Sequence, residues 1–191
     1  PLGNQPIDQD TITRLQDQTH FQTNNQVHDP EHSIQMHVPF LQAIFPELPI
    51  VPIVIGNLDP DVSHNIAQSL KSVIDNQTLV MISSDFTHYG DRFGYLPFTD
   101  QDPNTTREKI KDIDMGAIDP IVENNLATYS DYIQTTENTI CGRFAIQILL
   151  DLCKDTPSEC RLCEYQTSGD LTGDYTNSVS YASLSIQGAW Q

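Results

Sequence analysis

Leu48 to Gly56, LPIVPIVIG, is a nearly continuous apolar run rich in β-branched residues. A strand covered on both faces reads this way, as in a parallel sheet. Pro49 and Pro52 confine its regular part to the later half. Residues 61–74 read as a helix and Thr78 to Ser84 as a second strand, so the stretch makes a βαβ unit. With 191 residues, the chain is long enough for one such domain with its own core.

The rest of the sequence agrees with alternating elements. Residues 8–18 form a surface helix, and residues 19–30 are polar and loop-like. Pro30 and Glu31 open a helix with Ile34, Val38, Leu41 and Phe45 on its apolar face, kinked or split at Pro39. Residues 103–123 are helical with interruptions at Gly116 and Pro120, and residues 126–134 form another helix. Asn138 and Thr139 are cap-type residues ahead of a helix over 142–153. SVSYASLSI, residues 178–186, alternates as a late strand. The fold class expected is α/β, a central mixed sheet flanked by helices.

The 26 acids against 9 bases give a formal charge of −17, which repels nucleic-acid phosphates and anionic membranes. No stretch has the apolar length needed to cross a bilayer, and residues 1–10 lack the pattern of a signal peptide, so a cytoplasmic location is expected. Asn76 and Asn104 match the short glycosylation pattern. Cys160 and Cys163 form one Cys-x-x-Cys with Cys153 nearby, read as a local disulfide or as reduced thiols before zinc or redox chemistry.

VMISSDFTHYGDRFGY, residues 80–95, places Asp85 and His88 just past the second expected strand, where open α/β sheets bind ligands. Asp85 can orient His88 or fix its tautomer. The alternative is that Asp85 caps the loop and His88 bonds only a carbonyl. In EHSIQMH, His32 and His37 are five residues apart and do not share a helix face. His37 lies near the apolar stripe, whereas Glu31 and His32 can reach a ligand or serve only as a helix cap. ENTICGRF sets Cys141 at a helix N-terminus with Arg143 two residues on, two features that favour a thiolate. Such a thiolate is a nucleophile or a soft metal ligand; otherwise Cys141 fills space. His20, His28 and His64 are solvated, and Tyr89, Phe93 and Tyr95 line a pocket or simply pack.

PEHSIQMHVPFLQAIFP, VMISSDFTHYGDRFGY, NTICGRFAIQILL and the closing VSYASLSI together resemble the Memo family, whose prokaryotic members are called AmmeMemoRadiSam system protein B. PLGNQPID also resembles a family segment. The resemblance runs in order along essentially the whole chain. It implies a fold similar to class III extradiol dioxygenases, which are non-haem iron enzymes. It implies a site combining His residues with Cys141, and His88 matches the family's SSDF.H histidine. Iron or copper binding, redox chemistry and, in animals, phosphotyrosine peptide binding go with the family. The chain is expected to lack an upstream portion that carries two further site histidines. Gln35 stands where the family's EHSIEMH has an acid. The metal site is therefore expected to be incomplete.

Three functions compete. In the first, Cys141 and His88 ligate iron or copper with Asp85 behind, in an oxidoreductase. In the second, Arg143, Arg92, His32 and His88 receive an anion such as a phosphorylated peptide side chain or a small ligand, without turnover. In the third, Cys141, His88 and Asp85 act as nucleophile, base and orienter of a hydrolase.

Overall fold

The computed structural model describes residues 3–99 and 102–190, so Pro1 and Leu2 of the opening segment lie outside the described residues. The chain is mixed helix and sheet and divides into two compact units, Pro1–Ser83 and Ser84–Gln191.

In the first unit, α1 spans Gln9–Gln16. Asp8 caps it, accepting from the Thr11 amide at 3.0 Å and the Thr11 hydroxyl at 2.7 Å. Those bonds hold the Asp8 carboxyl below its usual value. A short α2, Asn25–His28, interrupts the expected loop, with Asn24 as its cap. α3 covers Ser33–Ile44 and runs through Pro39 unbroken. It starts later than Pro30 because the Glu31 carboxylate turns back to accept from the Ser33 amide at 2.8 Å. α4 is Pro60–Lys71, close to expectation, with Pro60 in its first turn.

The two expected parallel strands do not form. Leu48–Gly56 contributes one parallel bridge, Ile50 to Ile7, and Thr78–Ser84 joins no ladder among the described residues. An apolar run states that a segment wants cover; it does not name a neighbour that matches its main-chain donors, and Pro49 and Pro52 remove two of those donors.

The second unit holds the sheet. β1 is His88–Gly90, β2 Ser158–Thr167 and β3 Asn177–Gly188, in the order β1-β3-β2 and antiparallel throughout. A bulge falls between Leu162 and Glu164. β3 was legible, whereas β2 was not anticipated although its inward positions alternate. α5 (Pro103–Val122), α6 (Leu126–Thr136), α7 (Arg143–Cys153) and the short α8 (Ser168–Thr172) complete the unit.

α5 is continuous at both expected interruptions. Gly116 is needed for close packing rather than for a break, since a Cβ there would lie 2.4 Å from the Tyr132 ring of α6. Ile110, Ala117, Ile118 and Ile121 of α5, Tyr129 and Ile133 of α6, Ile146 and Leu150 of α7, and Phe86 ahead of β1 are buried apolar side chains. Each fully buried large side chain contributes roughly 1.5–3 kcal/mol.

Candidate functional site

Two irregular stretches of the second unit meet: residues 84–88, which lead into β1, and residues 138–142, which lead into α7. Main-chain and side-chain bonds tie them together. The Cys141 amide donates to the Asp85 carbonyl at 3.3 Å. In return, the Asp85 amide donates to the Cys141 sulfur at 3.2 Å. Ser84 closes the corner: its hydroxyl accepts from the Gly142 amide at 2.9 Å, donates to the Asp85 carbonyl at 2.9 Å and lies 3.8 Å from the sulfur. Gly142 caps α7 and has no side chain to serve its neighbours, so Ser84 supplies an acceptor at that helix start.

His88 is held from the other side. The Thr139 hydroxyl accepts from the His88 amide at 2.8 Å and donates to its carbonyl at 3.2 Å. The His88 Nδ1 lies 3.0 Å from the Phe86 carbonyl and 3.1 Å from the Thr139 carbonyl. Two acceptors require a proton on Nδ1, which leaves Nε2 as the ring's lone-pair nitrogen in the neutral form. Nε2 is 3.8 Å from the Asp85 carboxylate, outside direct hydrogen-bonding range. Cys141 is exposed, and Asp85 and His88 are half-buried.

Of the expected residues, Asp85, His88 and Cys141 come from these two stretches, whereas Glu31 and His32 lie in the first unit. Asp85 lies near both His88 Nε2 and, through its backbone, the Cys141 sulfur. Phe93 meets the His88 ring edge-on with centroids 5.2 Å apart, and the Arg92 guanidinium lies 5.8 Å from the same Phe93 ring. Arg143 lies over Phe144, at 4.8 Å. Tyr89 stacks on Phe98 and Tyr95 donates to the Thr136 carbonyl, so those two aromatics pack. In the first unit, Glu31 accepts from the Ser33 amide just ahead of α3, and bonding to Ser33 lowers its carboxyl; the exposed His32 ring lies 3.9 Å from it. Cys153, Cys160 and Cys163 are free thiols; burial pushes the Cys160 thiol up, with Cys153 and Cys163 adding to it.

Several supporting residues escaped sequence reasoning. Asn138 and Thr139 do not cap α7; both turn toward residues 87–88. Asp114 is fully buried, accepting from the Thr87 amide at 3.0 Å and from the Tyr165 hydroxyl at 2.7 Å. Burial pushes its carboxyl up, against the bonds from Ser180, Thr87 and Tyr165. The signal was an acid in register with Ile110, Ala117, Ile118 and Ile121 on the apolar side of α5.

With this geometry in view, comparison with known proteins is decisive. The family model described as Memo-like protein matches residues 1–185. The chain belongs to the Memo-like family. Over 96% of its length it is 31% identical to a memo-1 homolog of Caenorhabditis elegans, covering 55% of that protein. Over 96% it is 30% identical to a MEMO1 family protein of Thermoplasma volcanium, covering 63%. It is also 29% identical over 95% of its length to a MEMO1 family protein of Schizosaccharomyces pombe, covering 68%. This Memo-like chain therefore spans little more than half of the worm relative.

An iron or copper ion suits a thiolate and an imidazole. Among the described residues, however, no three His, Cys, Asp or Glu side chains gather closely enough to hold a metal. Likewise, no helix among the described residues is long and apolar enough to cross a membrane.

Proposed function

We propose that this chain contributes Cys141 and His88 to a redox centre that takes iron or copper, with further donors from outside the described cluster. The observation that carries the reading is the His88 ring. Its Nδ1 faces two backbone carbonyls, and this leaves Nε2 as the electron-pair donor. Backbone carbonyls bonded to one ring nitrogen are a common way to fix a histidine whose other nitrogen binds a metal. A bound iron or copper would supply one-electron chemistry of the kind oxidoreductases use. This chain's residues would hold the ion and set its surroundings: Cys141 as a soft donor, His88 as a borderline one, and Asp85 beside Nε2 as a proton acceptor or orienting charge.

Metal content after expression tests this. The protein should carry iron or copper in stoichiometric amount, and Cys141→Ala and His88→Ala should each lower it at least tenfold. Unchanged content in both variants would sink the reading.

A second reading is favoured by one observation: Arg92 and His88 both lie against the Phe93 ring, and Arg92 has no acidic partner among the described residues. That pair suits an anionic ligand such as a phosphorylated peptide side chain. Binding of a phosphopeptide that disappears in Arg92→Ala, with metal content unchanged, would select it.

A further inference from the structure

The two stretches that carry Cys141 and His88 are joined by links of two kinds. The outer links use Thr139, Asp85 and Cys141 at half-buried or exposed positions. The inner link is buried and is made by one side-chain amide. The Asn138 Oδ1 accepts from the Ile140 amide at 3.0 Å, and the Asn138 Nδ2 donates to the Thr87 hydroxyl at 3.1 Å. Asn138 is 3% exposed and Thr87 is 0% exposed.

Thr87 is itself fixed on its other sides. Its amide donates to Asp114, and its carbonyl accepts from the Ser180 amide of β3 at 3.0 Å. Ile140 directly precedes Cys141, and Thr87 directly precedes His88. The amide of Asn138 therefore ties the residue before the sulfur to the residue before the imidazole. An asparagine suits the place because one end must accept and the other must donate. Removed from water, the link does not exchange with solvent, and loss of either partner leaves a buried polar group unpaired.

From this geometry we infer that Asn138, acting through the Thr87 hydroxyl, is a positioning residue that sets the relative placement of the Cys141 sulfur and the His88 Nε2. The inference rests on the reading of those two groups as one centre. Asn138 touches neither reacting atom; it fixes the backbone that presents them.

Thr87→Val removes the hydroxyl at nearly constant volume and leaves the bond from Asn138 to Ile140 in place. Thr87→Ser restores the hydroxyl. Asn138→Ala removes both bonds. Each variant is measured for copper(II) affinity, for the rate of Cys141 alkylation by iodoacetamide mapped by mass spectrometry, and for thermal midpoint. The exposed Cys163 serves as the internal control.

Thr87→Val and Asn138→Ala should each weaken copper binding about tenfold. Each should change Cys141 alkylation several-fold, with Cys163 unaffected, and Thr87→Ser should behave as the parent. The double variant should be little worse than the worse single, because both changes cut one link. Parent-like copper affinity and alkylation in Thr87→Val overturn the inference. So does a loss that Thr87→Ser shares, or one that simply follows the thermal midpoint. If the parent itself binds no copper through Cys141, the metal reading falls, and the alkylation ratio alone then decides for or against the link.

Discussion

Residues 3–83 bury four side chains, Leu15, Ser63, Ile66 and Ala67, and leave Met36, Phe40 and Ile44 exposed along one stripe of α3. The described residues of 84–190 bury one side each of α5, α6 and α7 together with polar groups such as Asp114, Thr87, Asn138, Ser178 and Ser180. The second unit can do so because its buried polar atoms largely bond one another: Asp114 with Thr87 and Tyr165, Asn138 with Thr87 and Ile140, Ser178 with the Gly169 amide. In the first unit, the polar bonds instead serve helix starts, as at Asp8, Asn24 and Glu31. A catalytic or binding corner needs backbone held in irregular conformation, and only the second pattern provides the buried acceptors for that.

The largest expected effect contrasts two phenylalanines. Phe86 is 2% exposed, and Phe86→Ala should cost about 3–5 kcal/mol in chemical denaturation. Phe40 is 68% exposed, and Phe40→Ala should stay within about 0.5 kcal/mol. A Phe40→Ala loss approaching that of Phe86→Ala would break the contrast, because it would require the α3 stripe to be covered in solution.

The same contrast governs what could be read from the sequence. The helices were legible in both units because a period near 3.6, together with cap residues, is local information: α4, α6 and α7 fell within a few residues of expectation. The strands were legible only where alternation met a partner. β3 met β1 and β2, whereas Leu48–Gly56 and Thr78–Ser84 carry the composition of buried strands and, apart from the single Ile50–Ile7 bridge, join no ladder among the described residues. At the site, Asp85, His88 and Cys141 were found because their chemistry is conspicuous beside a turn. Thr87 was missed and Asn138 was read only as a cap-type residue, because an amide and a hydroxyl acquire a role only from what they face across 51 residues of sequence.

Of intermediate size is the difference between two capping aspartates. Asp170 accepts from the Thr167 amide and hydroxyl in a capping box, from the Tyr175 hydroxyl at 2.7 Å and from Arg107. Burial works against its charge, yet the bonds from Tyr175, Arg107 and Thr167 hold its carboxyl far below the usual range. A depressed folded value means that its stabilisation is present above the unfolded carboxylate value and is lost as pH falls through the folded one. Asp170→Asn should therefore cost about 1–2 kcal/mol near neutrality and flatten the acid limb of the stability curve. Asp8 accepts from the Thr11 amide and hydroxyl with no Arg or Tyr bonded to it among the described residues, so Asp8→Asn should cost a few tenths of a kcal/mol, because asparagine caps nearly as well. Equal losses at the two sites would show that the cap alone, and not the pairing around Asp170, sets its contribution.

The last contrast, with single effects of about 1 kcal/mol, tests the second unit against its own rule. Tyr129 and Tyr132 lie three residues apart on α6. The Tyr132 hydroxyl donates to the Ile113 carbonyl at 2.7 Å, so Tyr132→Phe should lose about 1 kcal/mol. The Tyr129 hydroxyl is buried and has no hydrogen-bond partner among the described residues. Burial pushes its ionisation up, while Arg143 and Cys141 act on it in opposite directions. An unpaired buried hydroxyl costs free energy, so Tyr129→Phe should stabilise the protein by about 1 kcal/mol and raise the thermal midpoint by about 2–4 °C. The two substitutions delete the same atom from the same helix, and the opposite signs follow only if pairing, rather than burial, decides which polar groups this unit tolerates. A midpoint lowered by Tyr129→Phe would mean that the hydroxyl has a partner in solution, most simply a bound water within reach of Arg143 and Cys141, and the Cys141 corner would then extend into the α6–α7 interface.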